Sequence, residues 1–101
     1  MISVTEKDDG VATLDLEGDL TIYVADKFNQ AMNTYLEKYR HIDVDMSQVS
    51  ELDTSCYQVL LRAKLMSLQS GREMNVTSIS DEAKQVFDLY NLATVFDSSE
   101  E

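Results

Sequence analysis

Two hydrophobic periods alternate along this chain, and they divide it into strands and helices. Ile2-Ser3-Val4-Thr5 alternates with period two, Asp9-Gly10 supplies hairpin chemistry, and Val11 to Glu17 alternates again. This spacing predicts an antiparallel hairpin whose second strand stops at Gly18. From Val24 the period changes. Val24, Phe28, Ala31, Met32, Tyr35, Leu36 and Tyr39 fall on one face of a helix about four turns long. Ile42, Val44 and Met46 alternate with Asp43 and Asp45 in a third strand, and Ser47 to Asp53 reads as a connecting loop. A second helix is expected from about Thr54 to Ser70, with Tyr57, Leu60, Leu61, Leu65 and Leu68 inward and Gly71 just past its end. Met74, Val76 and Ser78 suggest a fourth strand. Ser80 caps a third helix whose inner face is Ala83, Val86, Phe87 and Tyr90. Leu92, Val95 and Phe96 suggest one more short packed segment, and Asp97 to Glu101 a mobile acidic tail.

The order β-β-α-β-α-β-α predicts an α/β fold: a central mixed sheet of four to five strands with helices packed against it, the later strands parallel. The 101 residues leave room for one core, so a single domain over 1–101 is expected. A net charge of −11 disfavours nucleic acid and anionic membrane surfaces as partners. No secretory signal or spanning segment is evident, and one cysteine cannot form an internal disulfide, so a soluble cytoplasmic protein is expected. One His and one Cys are too few for a closed zinc site, and no cofactor is expected. Asp43-Val44-Asp45 begins like a calcium loop, but Gln48 and Thr54 occupy the places that need Gly and Glu.

The candidate chemistry lies at Asp53-Thr54-Ser55-Cys56, where a loop enters the second helix. Capping alone accounts for such residues, because their oxygens accept from free backbone N–H groups. The same turn would also stabilise a phosphate on a hydroxyl, in the positive field of the helix N-terminus. Cys56 shares that turn, where a helix dipole lowers a thiol pKa, although His41 is the only histidine.

Four segments, Gly18-Asp19-Leu20, Asp45-Met46-Ser47, Leu52-Asp53-Thr54-Ser55 and Asp88-Leu89-Tyr90-Asn91-Leu92, occur in an order that resembles the STAS domain of anti-sigma-factor antagonists. The resemblance implies a non-catalytic module that binds a serine-protein kinase acting as an anti-sigma-like regulator. The module is released by phosphorylation and reset by a PP2C-type phosphatase. By position it implies Ser55 as the acceptor, supported by Asp53, Thr54 and Cys56. A docking surface would include Asp19, Leu20, Thr21, Tyr23 and Tyr57, and the free protein would be a monomer. Two departures are Cys56 where the family usually has Gly, and Thr21 where many members have Asp. The competing expectations are a constitutive accessory subunit, for instance of a lipid-transport ATPase, and a small thiol enzyme using Cys56. A phospho-aspartate receiver fits worse, lacking the acidic pair and the lysine it needs.

Overall fold

The computed structural model of the chain describes residues 2–90. The expected segment at Leu92, Val95 and Phe96 and the acidic tail fall outside them. The elements are β1 (Ile2–Asp8), β2 (Val11–Leu20), a short 3-10 turn (Ile22–Val24) and α1 (Ala25–Lys38). They continue with β3 (His41–Leu52), α2 (Thr54–Gln69), β4 (Glu73–Ile79) and α3 (Asp81–Tyr90). The strands form one sheet in the order β1-β2-β3-β4, antiparallel between β1 and β2 and parallel thereafter. This is the mixed four-stranded sheet with helices that the alternation predicted.

The local signals act as their chemistry requires. Gly10 turns the hairpin at φ +80°, and the backbone N–H groups of Arg40 and His41 both donate to its carbonyl. After α2, Gly71 at φ +74° donates to the Leu68 carbonyl while Arg72 donates to Ser67, a Schellman closure. The Ser80 hydroxyl accepts from the Ala83 N–H at 3.2 Å and caps α3. One face of the sheet is dry: Ala12, Leu14, Leu16, Ile42, Val44, Met46 and Met74 are buried with Phe28, Met32, Leu60 and Phe87 of the helices.

Three expectations need correction. Gly18 does not end β2, because the strand runs on to Leu20. Instead Gly18 takes φ +88°, and the register with β3 shifts between Gly18 and Asp19, so the glycine relieves an irregularity within the ladder. Ser47–Asp53 is not a loop either, since β3 continues to Leu52. Its later residues pair with Glu17 to Leu20, which hides Val49 and Leu52 while exposing the polar positions between them. Finally, the inner face of α2 is displaced. Cys56, Tyr57, Val59, Leu60, Ala63, Lys64 and Ser67 are buried, whereas Leu65 is exposed and Leu68 is 59% exposed. Both stripes have helical spacing, so periodicity could not choose between them. Packing chose the one whose polar members can be satisfied: Lys64 Nζ donates to the Met74 carbonyl and Asn75 Oδ1, and Ser67 Oγ to the Ala63 carbonyl.

Candidate functional site at the carboxyl edge of the sheet

Strands β2 and β3 run parallel and end in register, Leu20 beside Leu52, so the segments that follow them emerge side by side. The Asp53 N–H donates to the Leu20 carbonyl at 3.0 Å and ties the two exits together. Carboxyl edges of parallel strands are where α/β folds place their sites. Here the edge is built around Asp53. With extended backbone, Asp53 is the N-cap of α2. Its Oδ1 accepts from Ser55 Oγ at 2.5 Å and from the Cys56 N–H at 3.3 Å, and its Oδ2 accepts from the Ile22 N–H at 2.6 Å. One carboxylate thus caps a helix, orients a hydroxyl and anchors the turn after β2. Partial burial would push its pKa up, but the bonds from Ser55 and from the backbone N–H groups outweigh this and hold the carboxyl below the ordinary aspartate value.

Ser55 is half-buried and Thr54 exposed. The Thr54 hydroxyl meets the Tyr90 hydroxyl at 2.8 Å. Tyr90 stacks on Tyr57 with centroids 5.0 Å apart, and Tyr57 meets Phe87 edge-on at 5.1 Å. The end of α3 is thereby fixed against the start of α2. On the other side, Asp19 accepts from Ser50 Oγ at 2.6 Å, and Tyr23 and Ile22 project into solvent, 92% and 66% exposed.

The structure thus brings Asp53, Thr54, Ser55 and Cys56 together with the turn around Thr21 and Tyr23. Two residues expected on the docking surface are buried. Leu20 is fully buried because β2 continues through it with its side chain inward, and Tyr57 is 2% exposed because it fills the space between α2 and α3. Cys56 is also fully buried, and its Sγ donates to the Thr21 carbonyl at 3.3 Å. Burial pushes the thiol pKa up and the Asp53 charge adds to that, the reverse of what the thiol-enzyme reading requires. Three contributors were not assigned from sequence: the Ile22 backbone N–H, Ser50 and Tyr90. Helical spacing places Tyr90 on the core face of α3 and cannot reveal that it lies at the rim, 38% exposed. No signal in the sequence marks a backbone N–H as a partner.

The architecture has counterparts among solved structures, all at identities that speak to fold alone. A candidate anti-sigma factor antagonist from Thermotoga maritima matches with TM-score 0.84 and 21% identity over 95% of this chain and 83% of its own. The unphosphorylated anti-sigma factor antagonist SpoIIAA matches with TM-score 0.78 and 15% identity over 99% of this chain and 90% of its own. The phosphorylated form of SpoIIAA, a cell fate determinant of Bacillus, matches with TM-score 0.74 and 14% identity over 99% of this chain and 93% of its own. In sequence, the family model described as "Mlab, STAS domain" matches residues 3–97. That match takes in every element described above, from the hairpin to the end of α3, and with it the chain belongs to the STAS domain family.

Proposed function

We propose that this chain is a phosphorylation-switched binding module, with Ser55 as the phosphate acceptor and a serine-protein kinase of the anti-sigma type as its partner. The STAS fold and its antagonist-like neighbours support a signalling or regulatory role. The observation that carries the finer reading is the Ser55 hydroxyl, held 2.5 Å from the Asp53 carboxylate in the first turn of α2. That contact orients the oxygen for transfer, and after transfer the charge of Asp53 opposes the favourable field of the helix N-terminus. A phosphoserine carries about −1.5 to −2 charges and would stand beside a carboxylate that is bound in three directions. The hydroxyl bond is lost and like charges face each other. If the partner covers this turn, the added charge must also be desolvated, and a penalty of about 3 kcal/mol would weaken the complex roughly a hundredfold. Ser55 is preferred to Thr54 because the Thr54 hydroxyl is engaged with Tyr90 rather than with a carboxylate. Ile22 and Tyr23 supply the apolar contact surface beside the switch, with Asp19 and Thr21 at its border. A PP2C-type phosphatase would reset the module, which is cytoplasmic and monomeric when it is not bound to its partner. The existence of a phosphorylated form of a protein with this fold supports the same kind of switch.

A second reading, a constitutive accessory subunit of a larger complex such as a lipid-transport ATPase, is favoured by one feature. Ile22, Tyr23 and Leu89 leave large apolar side chains in water, as suits a face that stays covered. One experiment separates the two. Tagged wild type, Ser55→Ala and Ser55→Asp are used to capture partners from the native cytoplasm, and phosphate on Ser55 is sought by mass spectrometry after incubation with ATP. The switch predicts a kinase retained by wild type and Ser55→Ala, lost with Ser55→Asp, and able to phosphorylate Ser55. Equal retention of one partner by all three refutes it and leaves the constitutive subunit.

A further inference from the structure

Helices α1 and α2 leave between them a groove of about 730 Å³, lined by Asn29, Leu36 and Glu37 of α1, Arg62 and Met66 of α2, and Arg72 beyond it. Its position is separate from the cap. Seven helical positions, about 10 Å of rise, separate Ser55 from Arg62, the lining residue of α2 nearest the cap. The charges of the groove differ from those of the chain as a whole. The protein carries a net charge of −11, and Lys7, Lys38 and Lys84 are spent on Asp43, Glu6 and Asp88. Arg62 and Arg72 are not. Arg62 donates to Asn29 Oδ1 and Arg72 to the Leu36 carbonyl, both neutral acceptors, and among the described residues neither guanidinium pairs with a carboxylate. A guanidinium has five N–H donors and is charged at every physiological pH, so each has donors and its full charge left to offer. Glu37 offsets one of the two charges. The remaining positive site lies beside Met66, which is 43% exposed, over the nearly buried Leu36.

We propose that this groove docks a short acidic peptide segment of a partner protein, with carboxylates on Arg62 and Arg72 and one apolar side chain against Met66. The α1 side from Asn29 to Glu37 is about 12 Å long, room for about four residues of extended chain. Fork-shaped guanidinium groups suit paired carboxylate oxygens, and methionine adapts to varied apolar side chains. The groove gives the module a second hold on a partner, independent of the phosphorylation state of the cap.

The probe is a set of fluorescently labelled eight-residue peptides rich in Asp and Glu, with one Leu or Phe at each position in turn. Binding is read by anisotropy at low and at near-physiological salt. The expected result is that some of these peptides bind the wild type at near-physiological salt, where repulsion from the net charge of −11 is screened beyond about 8 Å and the direct contacts at the guanidinium groups persist. Arg62→Ala should weaken them about fivefold, and Lys27→Ala, which removes an exposed cation of α1 outside the groove, should leave them unchanged. Ser55→Asp should also leave them unchanged, which separates this idea from the switch. Arg72→Ala should act like Arg62→Ala; because it also removes a bond to the end of α1, Arg62→Ala decides the matter should Arg72→Ala fail to fold. The proposal is overturned if no peptide binds, if Gln and Asn versions bind equally well, or if Arg62→Ala binds like wild type. It is also overturned if peptides bind only after residues 97–101 are deleted, since the groove would then belong to the chain's own acidic end.

Discussion

Replacing Asp53 by Ala tests whether one carboxylate holds the carboxyl edge together. Alanine removes the N-cap of α2, a loss of about 1 kcal/mol. It also removes the acceptor of the Ile22 N–H, a charge-assisted bond at 2.6 Å that contributes about 1 kcal/mol once its exposure to solvent is allowed for. The Ser55 hydroxyl can turn to water and adds little. The sum is about 2 kcal/mol, or a fall of about 10 °C in Tm for a domain of this size. Asp53→Asn can still cap, but its amide offers one acceptor where the carboxylate offers two, so about half of that loss is expected. Urea titration followed by circular dichroism at pH 7 gives both values. The pH dependence supplies an internal control. The folded pKa of Asp53 lies below the unfolded value of about 3.9, so its contribution is present above that value and is lost as pH falls through the folded pKa. The gap between wild type and Asp53→Ala should therefore narrow in strong acid. A loss below about 0.5 kcal/mol at pH 7 would refute the account, leaving Asp53 an ordinary surface residue.

Two further outcomes check the packing and the electrostatics. Leu68→Lys should change stability by no more than about 0.5 kcal/mol, while Leu60→Ala should cost about 3 kcal/mol; comparable losses in urea titration would contradict the face assigned to α2. His41 is partly buried, which lowers its pKa, but its two ring nitrogens lie 2.8 Å from Asp43 and 2.7 Å from Glu73, and these partners raise the net value above 6.5. Its contribution to stability is full below about 6.5 and is lost as pH rises through the folded pKa; an NMR titration midpoint at or below 6.5 would contradict this.

The sequence by itself determined the order and kind of every described strand and α-helix, though not the 3-10 turn at Ile22–Val24, because period-two and period-3.6 patterns are read over many residues and are backed by local chemistry at Gly10, Gly71 and Ser80. It also placed a helix cap among Asp53, Thr54 and Ser55, since capping is decided by neighbours in the chain, and the structure gives that role to Asp53. Tertiary structure decided what local pattern leaves open. Of the two apolar stripes on α2, only packing against β4 selected the one that contains Lys64, whose ammonium needed the Met74 carbonyl. Gly18 and the end of β3 look like breaks in the sequence because the parallel partner that keeps each strand in the sheet lies about thirty residues away. For the same reason Tyr57 and Leu20 look available to a partner in the sequence, and nothing there ties the Ile22 N–H or Tyr90 to Asp53 and Thr54. Burial and long-range hydrogen bonds depend on which segments the fold brings together, and a pattern of neighbours along the chain does not contain that information.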